Sequence, residues 1–325
     1  KLATPLGAWQ RGWGVFFAYP NGVHREDGQG HQDLMDFTAT KDTDLPDGLM
    51  AQSAIEFLKQ QSDDDAPFFL GLGFFKPHLP FVAPKQDWDA FENSDMEIAE
   101  DQQKPETAYW HRSGEFYRYD APFEKQHPLS VDAQRDARRG YLACVRYADR
   151  QVGKVLDTLQ QTGLADNTVV VVWGDHGWHL GDQQIWGKHS PLERALRSVL
   201  MIRVPGVSKP GLVSHALVET LDLYPTLIDV CNPSFQQTHL PLDGKSLASV
   251  IRGDTDSVRE ASLSYWNNAI SVRTLDRRLI AKQVAGEFRS IELYPTDRDV
   301  LGPNLADDQP GKVKEMLELF ERQSE

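Results

Sequence analysis

The sequence predicts an α/β fold: a mostly parallel sheet flanked by helices, followed by a smaller antiparallel-sheet α+β subdomain. Three observations carry this. Residues 131–161 have helical periodicity and run through Gly163 into the apolar segment 169–173, and helix, short loop and strand form the unit of a parallel α/β sheet. Two further strand-sized apolar runs, 67–74 and 199–205, lie on either side of that unit. From about Ala261 short strand-like segments separated by turns replace the pattern, which divides the chain into a main domain over 1–255 and a subdomain over 256–325.

Taken in order, residues 1–45 are rich in Gly, Asp and aromatics without periodicity and read as irregular surface structure. Pro46 opens a helix to about Lys59, with Leu49, Ala54, Ile55 and Leu58 as its buried side. Asp63, Asp64 and Asp65 read as a solvated turn. The run 67–74 reads as a buried strand that ends in Lys76, Pro77 and His78. Residues 83–128, rich in Pro, Asp and aromatics, form a long loop of the kind that shapes a substrate pocket. Ser130 or Asp132 caps the helix running to Gln161, whose apolar stripe is Leu142, Val145, Val152, Val155, Leu156 and Leu159. The valine run 169–173 reads as a strand buried on both faces. After the strand at 199–205, Asp222 caps a helix through about Val230, with Pro225 tolerated in its first turn. Residues 271–274, 278–282 and 290–294 form the small antiparallel sheet, closed by a helix over 312–322.

Composition narrows the function. With 34 basic and 48 acidic residues the net charge is −14, which argues against nucleic acid as a partner. An anionic substrate must therefore be captured by a local basic pocket. No apolar run approaches the ~20 residues that span a bilayer. Cys144 and Cys231 give no disulfide framework and read as small buried hydrophobes. The opening Lys1-Leu2-Ala3-Thr4-Pro5 has no initiator Met or signal pattern and reads like the middle of a protein, so it does not imply a cytoplasmic location.

The chemistry concentrates in residues 168–189. Asp175 and His176 stand just past the carboxyl end of the valine strand, where ligands bind in open α/β sheets. A carboxylate and a neutral imidazole both bind divalent cations, and Lys188 supplies a clamp for an anion. His78, with Lys76 beside it, ends the other apolar run. His179 and His189 read as structural or pocket-lining, and Asp149 and Arg150 as an ion-paired helix face.

Seven segments occur together in one order: PFFLGLGFFKPHLPF (67–81), YLACVRYADRQVGKVLDTL (141–159), TVVVVWGDHGWHLGDQQIWGKHS (168–190), LMIRVPG (200–206), ETLDLYPTLIDV (219–230), LPLDGKSL (240–247) and IELYPTDRDVLGPNLA (291–306). Through them the chain resembles the sulfatase family of the alkaline-phosphatase superfamily, most closely its iduronate-2-sulfatase-like branch. The resemblance implies a sulfuric-ester hydrolase acting on a sulfated sugar or glycosaminoglycan by a metal-assisted formylglycine mechanism. It makes Asp175 and His176 metal ligands, Lys188 a catalytic contact to the sulfate and leaving oxygen, and His78 the group that binds sulfate or protonates the leaving group, with Lys76 assisting. It implies Ca²⁺, although an imidazole ligand better suits Zn²⁺. It also implies a periplasmic, extracellular or lysosomal location.

The family's nucleophile, a formylglycine made from the Cys or Ser of C/S-x-P-x-R, has no match in this sequence. Cys231-Asn232-Pro233-Ser234-Phe235 has Phe where Arg must stand, Ser208-Lys209-Pro210-Gly211-Leu212 fails in the same way, and Cys144 lies mid-helix. The family's upstream pair of metal-binding carboxylates and its Lys-x-x-His-like pair are missing too. The reading is the C-terminal part of a sulfatase, with the N-terminal segment as an implied partner chain, no turnover by residues 1–325 alone, and poor solubility from uncovered sheet surface. Two alternatives stand beside it: a phosphodiesterase or phosphonate hydrolase of the same superfamily, and a non-catalytic paralogue that binds sulfated glycans.

Overall fold

A computed structural model describes residues 33–62, 66–103, 114–234, 240–296 and 301–324. The irregular stretch up to residue 32, the Asp63-Asp64-Asp65 turn and part of the 83–128 loop lie outside the described residues. The chain divides into two compact units, one made of Lys1–Glu97 with Phe116–Ala165 and the other of Ile98–Glu115 with Asp166–Glu325.

In the first unit, β1 (Met35–Asp36) pairs in parallel with β2 (Phe81–Val82). The helix expected from Pro46 spans Pro46–Gln61, with the proline in its first turn, and buries Ala51, Ala54 and Leu58 as well as Pro46, Asp47 and Gly48. Leu49 and Ile55 are half-buried. The long helix spans Val131–Gln161, and Ser130 is its cap, its Oγ accepting from the Ala133 amide at 3.3 Å.

The buried face of that helix is not the expected aliphatic stripe. Val145 and Leu156 are 37% and 39% exposed, while Ala133, Ala137, Gly140, Ala143, Cys144, Tyr147 and Gln151 are buried. Close approach explains the choice: a Cβ on Gly140 would stand 3.2 Å from both the Met35 sulfur and a Phe81 ring carbon. Small residues let the β1–β2 pair rest on the helix backbone. Residues 67–75 differ from expectation as well. They form no ladder strand among the described residues, and Phe69 is 69% exposed.

Polar contacts hold this unit together. Arg150 reaches Asp42 at 2.6 Å and the fully buried Asp87 at 2.7 Å, with Arg146 also on Asp87 and Lys154 on Asp42. The Tyr147 hydroxyl accepts from the Gly48 amide at 2.7 Å and donates to the Asp42 carbonyl at 2.8 Å. Arg150 is thus ion-paired as expected, but to other segments instead of along its own helix; Asp149 is exposed.

The second unit carries β3 (Val170–Trp173), β4 (His179–Leu180), β5 (Trp186–Gly187) and β6 (Leu200–Arg203), with β3 antiparallel to β6 and β4 antiparallel to β5. The valine strand is half-buried, not buried on both faces, and Trp173 is 47% exposed. His179 is fully buried on β4, with its Nε2 2.8 Å from the Ser190 hydroxyl. The helix Leu223–Cys231 lacks the expected side-chain cap from Asp222. That buried carboxylate instead accepts from the Glu219 amide at 2.7 Å and the Lys245 amide at 2.8 Å and pairs with buried Arg259. Cys144 is buried as expected, whereas Cys231 is exposed.

The C-terminal sheet has four antiparallel strands, β7 (Ser262–Trp266), β8 (Ala269–Arg273), β9 (Arg277–Val284) and β10 (Glu287–Pro295), in the order β10-β9-β8-β7. The first of these was not expected from sequence. The closing helix spans Pro310–Ser324, and Met316, Leu319 and Phe320 meet Ile270, Val272, Leu279 and Leu293 in one core. A subdomain over 256–325 with this core of its own remains our proposal.

Two outcomes test the packing. Gly140→Leu costs more than about 2 kcal/mol through overpacking, while Val145→Ala costs under about 1 kcal/mol. Denaturant unfolding measures both, and the reverse order overturns the face assignment. Burial holds the His179 pKa down to about 4, against a weaker opposing pull from Asp182. The unfolded chain takes up that proton first, so the contribution is full above about pH 6.5 and is lost as pH falls through about 4. Thermal unfolding temperature therefore drops between pH 7 and 5, and His179→Gln flattens that slope; an unchanged slope contradicts the assignment.

Candidate active site

The sequence candidates fall into one group in each unit. In the second unit the chain leaves β3 at Trp173 and is held by the Gly174 amide donating to the Val199 carbonyl at 2.9 Å. Gly177 then passes so close to the next segment that a Cβ there would lie 2.1 Å from the Arg194 carbonyl oxygen. Only glycine fits that contact, and its amide donates to the Ala195 carbonyl at 2.8 Å.

Between these two glycines stand Asp175 and His176. His176 Nδ1 is 2.9 Å from the Gly177 carbonyl oxygen. A carbonyl only accepts, so Nδ1 carries the proton and Nε2 presents its lone pair. That Nε2 lies 3.8 Å from Asp175 Oδ1, and the Asp175 side chain is 76% exposed. Two donors on one divalent cation, each a little over 2 Å from it, stand about 3–4 Å apart, so the pair fits one edge of a coordination shell. No group of three or more His, Cys, Asp or Glu side chains suited to a metal occurs among the described residues. The pair alone therefore does not make a cage of the six to eight oxygens that Ca²⁺ takes.

Lys188 is mostly buried. Its ammonium is 3.2 Å from Glu115 Oε2 and 5.3 Å from the centre of the Trp178 ring. Next to it, His189 stacks on Trp266 at 4.8 Å. Burial lowers the His189 pKa, as do the neighbouring Lys188 and His176, with Glu115 acting in opposition. Lys188, His189, Glu115 and His176 thus share one electrostatic neighbourhood. Glu115 carried no sequence signal of its own, being one acid among many in the 83–128 loop.

In the first unit Lys76 and His78 lie on one turn. The Lys76 ammonium donates to the carbonyls of His78 at 3.0 Å and Pro80 at 2.7 Å, and the residue is 9% exposed. His78 Nδ1 is 2.6 Å from the Leu79 carbonyl oxygen, so that nitrogen also carries the proton. Asp47 joins this turn from the start of the helix Pro46–Gln61. Its carboxylate accepts from the amides of Phe75 at 2.8 Å and Lys76 at 2.9 Å. At the second position of a helix opened by proline, Asp47 reads in sequence as a partner of the helix dipole, which hides this second role.

Known proteins place these residues in context. The sulfatase family pattern matches residues 13–233. Mouse iduronate 2-sulfatase is 31% identical over 85% of this chain and 65% of its own length, and the human protein is 30% identical over 70% of this chain and 49% of its own. The chain thus spans about half to two thirds of the length of these relatives. Among solved structures, the phosphonate monoester hydrolase of Silicibacter pomeroyi superposes with a TM-score of 0.71 at 23% identity, over 93% of this chain and 65% of that one. A protein solved with its substrate D-glucosamine-2-N,6-O-disulfate gives 0.70 at 19% identity, over 86% and 69%. These structural likenesses show a sulfatase/alkaline-phosphatase-like α/β fold. With the family pattern covering more than half of its length, this chain belongs to the sulfatase family.

Proposed function

We propose that the chain carries the metal-binding and sulfate-binding part of a sulfuric-ester hydrolase that removes sulfate from a sulfated sugar. One observation supports this above the others: an oriented Asp175–His176 pair beyond the end of β3, with Lys188 in the same neighbourhood, in a member of the sulfatase family. A divalent cation bound by Asp175 and His176, Ca²⁺ by family likeness, would supply positive charge to the sulfate oxygens.

The remaining steps belong to the chain's own residues. Lys188 holds sulfate and the leaving oxygen by its charge, with Glu115 fixing where the ammonium stands. Fixed charge of this kind acts on the oxygens as negative charge develops there. His78 moves a proton at Nε2, since Nδ1 is committed to the Leu79 carbonyl. Lys76 assists His78, its ammonium bracing the turn through the carbonyls of His78 and Pro80. The nucleophile is a formylglycine from a C/S-x-P-x-R segment, which this sequence does not contain and which we assign to a partner segment. A sulfated uronic acid or related glycosaminoglycan unit, and a lysosomal, extracellular or periplasmic setting, follow from the likeness to iduronate 2-sulfatase. No helix among the described residues is long and apolar enough to cross a membrane.

Purified 1–325 alone is expected to release no sulfate from an aryl or sugar sulfate. Combined with a polypeptide bearing the C/S-x-P-x-R segment it does so, and Lys188→Ala then lowers the rate about 10²–10³-fold. Robust release by 1–325 alone overturns the assignment of the nucleophile, and a rate unmoved by Lys188→Ala overturns the role of Lys188. Faster turnover of a phosphonate monoester than of any sulfate ester replaces the sulfatase reading with the phosphonate one.

A further inference from the structure

The Asp47 carboxylate is 1% exposed, and neither of its oxygens serves the helix on which it sits. One takes the Phe75 amide and the other the Lys76 amide, so both must act as acceptors. Lys76 follows with its ammonium on the carbonyls of His78 and Pro80, and the His78 amide donates to the Phe75 carbonyl at 2.9 Å. The result is a closed set of hydrogen bonds around residues 75–80, with one buried anion and one buried cation inside it. A surface histidine loop needs none of this. A buried carboxylate and ammonium are costly to desolvate, so their use here points to a turn whose geometry matters.

We propose that Asp47 is a positioning residue for His78: by fixing the amides of Phe75 and Lys76 it sets the turn in which the imidazole is held as the Nδ1–H tautomer, donating to the Leu79 carbonyl. The proposal rests on the role given above to His78, and it adds that the proton-exchanging nitrogen is selected by a residue 31 positions away that touches no substrate. Asp47→Asn keeps the shape but turns an amide NH₂ toward one of the two backbone N–H groups. That side of the turn must then open, and the Nδ1 hydrogen bond of His78 is released.

The test is ring ¹⁵N NMR of the histidines in the purified chain, with the His78 signals identified by their loss in His78→Gln. Wild-type His78 is expected to show a pyrrole-like Nδ1 and a pyridine-like Nε2, widely separated in shift. In Asp47→Asn the two shifts collapse toward the averaged pair of a freely exchanging imidazole. Asp222→Asn serves as control, because it removes an equally buried carboxylate that also accepts backbone N–H groups and pairs with an arginine. It lowers the unfolding temperature and leaves the His78 signals in place. An Nε2–H tautomer in the wild type overturns the proposal even if Asp47→Asn does not fold. His78 signals unchanged in a folded Asp47→Asn overturn it as well. Neither readout requires turnover, so loss of the sulfatase reading in the assay above leaves this result to stand or fall alone.

Discussion

Arg150 sets one guanidinium against two carboxylates, Asp42 and Asp87, and the first unit is organised around that bridge. Burial works to raise the Asp42 pKa, but hydrogen bonds from Arg150 and Lys154 outweigh it and hold the carboxyl well below the usual range. The bridge fixes the turn at Asp42 to the long helix, and Tyr147 ties the same turn to Gly48 at the start of the next helix. Asp47 sits one residue before that glycine and carries the constraint on to the turn holding His78. An anchor on the long helix thus reaches the turn that carries His78 through directional contacts, with few large apolar groups involved.

Buried carboxylates that accept backbone N–H groups recur as the means of fixing loops in this chain. Asp222 does for the segments at Glu219 and Lys245 what Asp47 does for the turn at 75–80, with Arg259 in place of Lys76 as the compensating cation. An acidic chain with a net charge of −14 has many carboxylates to place, and buried Asp47, Asp87 and Asp222 each meet amides or a cation. The same economy governs Lys188, which meets Glu115 beside Trp178. If Lys188 holds sulfate as proposed, the anion competes with a carboxylate already in place, and affinity depends on how far Glu115 yields.

Much of this was legible in the sequence, and the failures have physical causes. Asp175 and His176 stand out as candidates in the sequence because a strand end followed by Gly and two metal-competent side chains is a local pattern. Lys188 stands out in the sequence as an anion clamp thirteen residues after Asp175, but its partner Glu115 lies 73 positions upstream, with no local signal to link the two. The long helix was found, yet its buried face was misread, since alanines and a glycine carry little hydrophobic signal although they permit the closest packing. The valine run was read as covered on both sides because apolar side chains state a preference, not what lies against them. For Lys76 the sequence shows a cation but not the carbonyls of His78 and Pro80 that its ammonium meets.

We propose that Asp175 and His176 act together on one divalent cation. A crystal of the chain soaked with Mn²⁺, with the ion located by its anomalous scattering, checks this pairing. A peak is expected within about 2.6 Å of both an Asp175 carboxylate oxygen and His176 Nε2. A bound ion that touches neither side chain, or that His176 meets through Nδ1, would contradict it.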